Sequence, residues 1–293
     1  MIWDCIIIGG GPAGLTAATY LGRFQRTVLL IDSGQSRLKR VPLSRNTPGF
    51  PDGVTGTALY ALMHDQAMRY GASRRDAEAT SAQVAAHGFR IGADQETFDA
   101  RTLLLATGVK LVEPEIAGLD DALRRGLIRY CPICDGYEAR DARIAVLGGR
   151  AGAIGEAHFL RTYSQHVTYL WQLEGAPSAA ERAEAARDGI TLGAAPVSNI
   201  EIDSVVRVRD ERGSVFEFDT LYPCMGCHPR SALAVSLGAD VSQEGGLITD
   251  AHQQTSIPGL YAAGDVLQGL DQIASACGQA AIAAVAIHNA LRS

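Results

Sequence analysis

The chain has 293 residues, a net charge of −6, 32 glycines, and a hydrophobic fraction of 47% with only 6% aromatics. That length suits two domains with real cores, and that composition suits an α/β protein rich in tight turns. The acidic balance argues against a general nucleic-acid binder, and no apolar run approaches the ~20 residues a membrane-spanning helix needs. The 6 cysteines are too few for a disulfide scaffold, and the N-terminus enters a strand without a basic leader, which points to a cytosolic protein.

Residues 3–8 read as a strand, Gly9-Gly10-Gly11-Pro12-Ala13-Gly14 as a glycine turn, and residues 15–21 as a helix. Gly9 serves the tight turn, Gly11 the approach of backbone to a pyrophosphate, and Gly14 the packing of helix on strand. A second strand, 28–31, ends in Asp32, which lies 18 residues beyond Gly14, near the usual spacing for a ribose-binding acid. The first unit therefore reads as an adenine-dinucleotide site. The cations Arg37, Lys39, Arg40 and Arg45 form a basic loop, read as solvated or aimed at one cofactor.

Asn46 opens a loop punctuated by proline and glycine, and residues 57–70 read as a helix with Leu59, Leu62, Met63 and Tyr70 on its apolar side. Residues 79–99 alternate as short strands, and a buried strand at 103–105 leads to Ala106-Thr107-Gly108. Proline, glycines and charges over 112–126 mark a domain boundary.

Cys131-Pro132-Ile133-Cys134-Asp135-Gly136 follows. Two thiols separated by two residues can open and close a short disulfide, and the adjoining carboxylate can move the proton. Cys-x-x-Cys beside a βαβ pattern favours redox chemistry over a metal half-site. A strand at 144–147 then meets a second turn, Gly148-Gly149-Arg150-Ala151-Gly152, with a helix expected over 154–163. The next strand, 167–171, delivers Gln172, Leu173 and Glu174 as the groups that would read a second nucleotide.

Residues 191–218 alternate as an edge sheet, and 220–226 read as a buried strand carrying a second Cys-x-x-Cys, Cys224 and Cys227. That pair reads as buried structural thiols, since no His or carboxylate stands at metal-ligand spacing. Residues 255–266 run as a strand into Gly264-Asp265, followed by a long helix. There Asp265 suits a flavin's ribityl chain as well as a helix cap.

Taken together, Gly9 to Gly14, the Asn46 loop, Ala106-Thr107-Gly108, Cys131 to Gly136 and Ala263-Gly264-Asp265-Val266 resemble the low-molecular-weight, bacterial-type thioredoxin reductases over nearly the whole chain. The resemblance implies an α/β protein of two Rossmann-like domains, each of the three-layer ββα type. An FAD domain at 1–112 and 228–293 would enclose a smaller pyridine-nucleotide-like domain at 113–227. It implies a homodimer. It also implies that Cys131 and Cys134 are the redox pair, with Cys134 nearer the flavin and Asp135 as general acid and base. Gly9, Gly11, Pro12, Ala13, Gly14, Asp32, Asn46, Thr107, Gly108, Gly264, Asp265 and Gln272 would hold FAD.

Three positions depart from the family pattern. Arg150 replaces a glycine of the second turn, the cations that read the NADPH 2′-phosphate are absent from 170–174, and Asp271 replaces an arginine before Gln272. The reading is a flavin-dependent disulfide reductase that serves a thioredoxin-like protein or small disulfide and uses NADPH or NADH poorly. Its donor would then be ferredoxin or a dithiol, or a second flavin in the second pocket. A dithiol oxidase delivering electrons to oxygen, an ordinary NADPH-dependent reductase and a redox-sensing flavoprotein remain the alternatives; Asp135, rather than His, favours the reductase.

Overall fold

The computed structural model describes residues 1–292. The first run of elements is β1 (Ile2–Ile8), α1 (Pro12–Arg23), β2 (Val28–Asp32), α2 (Gly56–Arg69), β3 (Ser73–Asp76), β4 (Ala79–Ala85), β5 (Gly88–Ala93), β6 (Glu96–Leu105) and β7 (Val109–Leu111). The middle run is α3 (Leu119–Arg124), α4 (Pro132–Asp135), β8 (Ile144–Gly148), α5 (Ile154–Leu160), β9 (Val167–Trp171), α6 (Ala179–Arg187), β10 (Thr191–Leu192), β11 (Val197–Ile202), β12 (Val206–Asp210), β13 (Val215–Phe218) and β14 (Thr220–Cys224). The chain closes with β15 (Cys227–Pro229), α7 (Ala232–Ser236), β16 (Leu260–Ala262) and α8 (Ile273–Ala290). Two compact units result: Met1–Lys110 with the chain from His228 onward, and Leu111–Cys227.

In the first unit the sheet order is β3-β2-β1-β6-β5-β4, with β16 added to β6. Strands β1, β2, β3 and β16 join in parallel, whereas β4 and β5 join antiparallel. β6 is one long strand serving both parts. Its first half completes the antiparallel insertion, and Leu103, Leu104 and Leu105 pair with both β1 and β16. Its sequence pattern breaks midway because its first half is half-exposed and its second half fully buried. Helix α8 has the length and composition of a membrane span. Its face of Ala276, Ala280, Ala283, Ala284 and Ile287 instead packs in the core with Leu15 and Ala18 of α1. On α2 the expected apolar side is narrower than its composition suggests: Leu59 is buried but Leu62 is 57% exposed.

The glycine turn joins β1 to α1 by contacts that admit no side chain. A Cβ on Gly14 would stand 1.9 Å from the Gly9 carbonyl oxygen, which is backbone and cannot swing away. Gly14→Ala is expected to cost roughly 2–3 kcal/mol. The thermal unfolding midpoint checks this, and an unchanged midpoint would show that the turn relaxes freely.

In the second unit a parallel sheet runs β10-β9-β8-β14, and β11-β12-β13 form a separate antiparallel sheet. The strand read over 220–226 stops at Cys224. The helix expected over 154–163 closes at Leu160, after which residues 161–163 turn.

Candidate active site

Cys131 and Cys134 form a disulfide with Cα atoms 5.2 Å apart. The sequence makes this geometry local. Pro132 has a preset φ and no N–H to lose, so it starts α4 at the first helical position. One helical turn then returns Cys134 above Cys131, whose Sγ accepts from the Cys134 N–H at 3.1 Å. Gly136 closes the turn because a Cβ there would meet the Pro132 oxygen and the Tyr163 ring, each at 2.6 Å.

Asp135 is held from two places that its sequence neighbourhood does not reveal. The Tyr222 hydroxyl donates to Oδ1 at 2.9 Å, and the Arg129 guanidinium pairs with Oδ2 at 3.2 Å. Tyr222 lies on β14 with its side chain fully buried, so its hydroxyl requires a partner. Arg129 lies on a segment running beside β14: its N–H donates to the Leu221 oxygen at 3.0 Å, and its Nε donates to the Gly126 oxygen at 3.2 Å. Burial pushes the Asp135 carboxyl above its usual range, while the Arg129 charge and the Tyr222 hydroxyl pull it partly back. A carboxyl poised this way beside a thiol pair can exchange protons with it.

The first glycine turn has the makings of a phosphate site. Gly9 takes φ +109°, and a Cβ there would meet the Ala106 oxygen at 2.3 Å. Gly11 caps α1 without any side-chain hydrogen bond, and no acidic residue occupies the first turn. Space remains over Gly11, where the nearest atom to a Cβ would be the Ser36 hydroxyl at 3.6 Å. That hydroxyl is buried and has no hydrogen-bond partner. An uncapped 12-residue helix and an orphaned hydroxyl together fit an anionic phosphate. Pro12 and Ala13 open the helix, with Ala13 close to Gly264.

Asp32 ends β2 with only 4% of its side chain exposed. Its Oδ1 accepts from the N–H groups of Gly10 at 3.1 Å and Gly34 at 3.2 Å. Its Oδ2 accepts from Tyr60 at 3.3 Å and Arg74 at 3.2 Å. A ribose hydroxyl would have to share these oxygens with protein donors, so Asp32 first braces the turn.

The distant segments meet as follows. Asn46 Nδ2 donates to Gln272 Oε1 at 3.0 Å, and the Gly264 N–H donates to Gln279 Oε1 at 2.9 Å. The Thr107 hydroxyl donates to the Arg230 oxygen at 2.8 Å, and Gly108 takes φ +66° with open space around it. Of the basic loop, Arg37 pairs with Asp265 at 3.0 Å, and the Lys39 ammonium lies 4.2 Å over the Tyr60 ring. Burial raises the Asp265 carboxyl, with Arg37 opposing. Asp271 is pushed up to about 6 by burial and by Asp265, against the pull of Arg37.

The second turn is built differently. Arg150 sends its side chain over the neighbouring strand end, with Cδ 3.1 Å from where a Gly226 Cβ would sit, and its Nη1 donates to the Ala151 oxygen at 3.3 Å. Gln172 is committed to the Val197 oxygen at 3.2 Å, and Glu174 is exposed. The Leu173 side chain lies outside what the structure describes. Cys224 is half-buried beside this turn and receives the Gly149 N–H on its carbonyl at 3.2 Å. Burial, with Glu156 adding to it, drives the Cys224 thiol far above its ordinary range, and Arg150 only partly offsets them. Among the described residues no cluster of His, Cys, Asp or Glu could hold a metal.

A disulfide with an adjoining buried acid, carried on a chain with two strand–glycine turn–helix units, points to an α/β oxidoreductase. The family model for the pyridine nucleotide-disulphide oxidoreductases matches residues 3–280, and the chain belongs to that family. Its relatives there include the thioredoxin reductase of Mycolicibacterium smegmatis, 32% identical over 91% of this chain and 89% of that protein. The thioredoxin reductase of Listeria innocua is 30% identical over 96% of this chain and 92% of that protein. The crystal structure of thioredoxin reductase from Streptococcus pyogenes superposes with a TM-score of 0.90 at 28% identity, covering 99% of this chain and 98% of that one. The chain is thus an oxidoreductase of the bacterial thioredoxin-reductase type.

Proposed function

We propose that this protein is an FAD-dependent disulfide reductase that passes electrons through Cys131 and Cys134 to a thioredoxin-like protein or a small disulfide, and that NADPH is a poor donor. The disulfide on α4, next to the buried and doubly held Asp135, carries this reading. FAD fits the first turn: the N–H groups opening α1 and the Ser36 hydroxyl would hold its pyrophosphate, with Asn46, Thr107, Gly108, Gly264, Asp265 and Gln272 around the remainder. When bound, FAD would supply two-electron transfer to the disulfide. One relative is named a bifunctional thioredoxin reductase/thioredoxin, which supports a thioredoxin-like acceptor. A cytoplasmic homodimer is part of the same proposal. Extraction of the purified protein is expected to return one FAD per chain; FMN, or no flavin from folded protein, would remove the site assignment.

The weak point for NADPH is the second turn, where Arg150 replaces the residue that would let backbone approach a pyrophosphate. An anaerobic titration tests the donor. NADPH, NADH, reduced ferredoxin and a dithiol are added separately while the flavin absorbance is followed. Ferredoxin or the dithiol is expected to bleach it, and rapid stoichiometric bleaching by micromolar NADPH would refute the proposal. A second flavin in this pocket would show as two flavins per chain on extraction.

A further inference from the structure

The geometry points to Arg129 and Tyr222 as positioning residues that keep Asp135 ionised and oriented as the proton acceptor for the Cys131–Cys134 dithiol. The inference rests on the reading of Asp135 as the acid–base group of that pair. Tyr222 approaches Oδ1 at 2.9 Å from β14, and its hydroxyl also lies 3.4 Å from the Asp135 carbonyl, so one phenol anchors both side chain and backbone. Arg129 approaches Oδ2 at 3.2 Å. Both oxygens are thereby taken by donors that stabilise the anion, and the carboxylate plane is fixed.

Both supports are themselves held firmly. Tyr222 Cα lies in register with Val146 within the parallel sheet, and Arg129 is tied to Leu221 and Gly126. The other charged neighbour is Glu138, from the turn after α4, which opposes ionisation; beyond α5, the Tyr163 ring packs on Gly136. Burial opposes ionisation most strongly. Without Arg129 and Tyr222 the carboxyl would hold its proton to higher pH and would be a poorer acceptor for a thiol proton.

The step served is a simple proton transfer. A thiol of the reduced pair loses its proton to an Asp135 oxygen, leaving a thiolate and a neutral carboxyl. That thiolate attacks one sulfur of an incoming disulfide; the new S–S bond forms as the old one breaks. The expelled thiolate takes the proton back from Asp135. The second thiol of the pair then gives its proton to the same carboxylate, and its thiolate attacks the mixed disulfide, closing Cys131–Cys134 and expelling the second thiolate. That thiolate takes the proton in turn, so two electrons and two protons pass from the dithiol to the acceptor.

The test uses the full chain, reduced with a dithiol and desalted, reacting with an aromatic disulfide whose released thiolate is coloured, over pH 4–9. In the wild-type chain the rate is expected to rise through an acid limb set by Asp135. Tyr222→Phe and Arg129→Gln should each move that limb upward by roughly one pH unit while the high-pH plateau survives, and Arg129→Lys should restore most of the shift. Asp135→Asn should erase the limb. If Asp135→Asn erases it but Tyr222→Phe and Arg129→Gln leave it in place, the positioning role falls and the Asp135 reading stands. A profile unchanged in Asp135→Asn would overturn both. Should Arg129→Gln fail to fold, Tyr222→Phe, which removes a single hydroxyl, decides alone.

Discussion

Cys134→Ser is expected to lower kcat/KM for disulfide reduction at least about 1,000-fold while the chain stays folded and keeps its flavin. Removal of one sulfur leaves no second thiol to close the ring, so electrons cannot leave as a pair. The backbone of α4 does not depend on that sulfur. Pro132 fixes the first helical position, the Cys134 N–H still finds Cys131 Sγ, and the Gly136 N–H still donates to the Pro132 oxygen at 2.9 Å. Cys224→Ser is the control. Its thiol is half-buried and driven toward the neutral, unreactive form, so near-wild-type activity is expected. Disulfide reduction measured with a thioredoxin or a small disulfide decides between the pairs. Activity surviving in Cys134→Ser and lost in Cys224→Ser would move the redox role from the Cys131–Cys134 pair to Cys224.

What the sequence reveals and what it hides have a common physical origin. Gly14, Pro132 and the Cys-x-x-Cys act over about one turn of chain, so their roles follow from local geometry. β2 and β8 are fully buried and read directly as apolar runs. β6 does not, because one strand passes from a half-solvated hairpin to a doubly covered sheet, and its pattern changes midway.

The hidden residues are those whose partners are brought together by topology. Tyr222 is separated from Asp135 by 87 positions and Asn46 from Gln272 by 226, and no periodicity encodes either pairing. A signal for Tyr222 did exist. A tyrosine within the otherwise apolar, buried Thr220–Cys224 strand must direct its hydroxyl to a buried acceptor, and an unexplained acid in the chemistry is a natural one. Asp32 illustrates the opposite case. Its spacing from the glycine turn suggests a ribose contact, and the fold also sets Gly10, Gly34, Tyr60 and Arg74 around its oxygens, donors that the spacing rule cannot anticipate.

Arg150→Gly is expected to raise the rate at which NADPH reduces the flavin by roughly ten-fold or more, a factor of ten corresponding to about 1.4 kcal/mol. The first reason is steric. A nucleotide pyrophosphate binds a glycine turn by close approach to its backbone, and here the Arg150 side chain leaves the turn at that point and lies along Gly226. The second reason concerns the 2′-phosphate. β9 ends at Trp171, the Gln172 amide is occupied by the Val197 oxygen, and Glu174 is exposed. A phosphate brought near that carboxylate is repelled, more strongly the less water intervenes. Removing the arginine side chain relieves the first obstacle and leaves the second. Arg150→Gly should therefore improve NADPH and NADH together, whereas adding Gln172→Arg should favour NADPH over NADH by supplying the missing cation. Stopped-flow flavin reduction under anaerobic conditions measures both. Arg150 has one way to reverse the expectation, by pairing with a phosphate oxygen itself. In that event Arg150→Gly would slow reduction by both nucleotides, and the second turn would be a nucleotide site held by the Arg150 side chain.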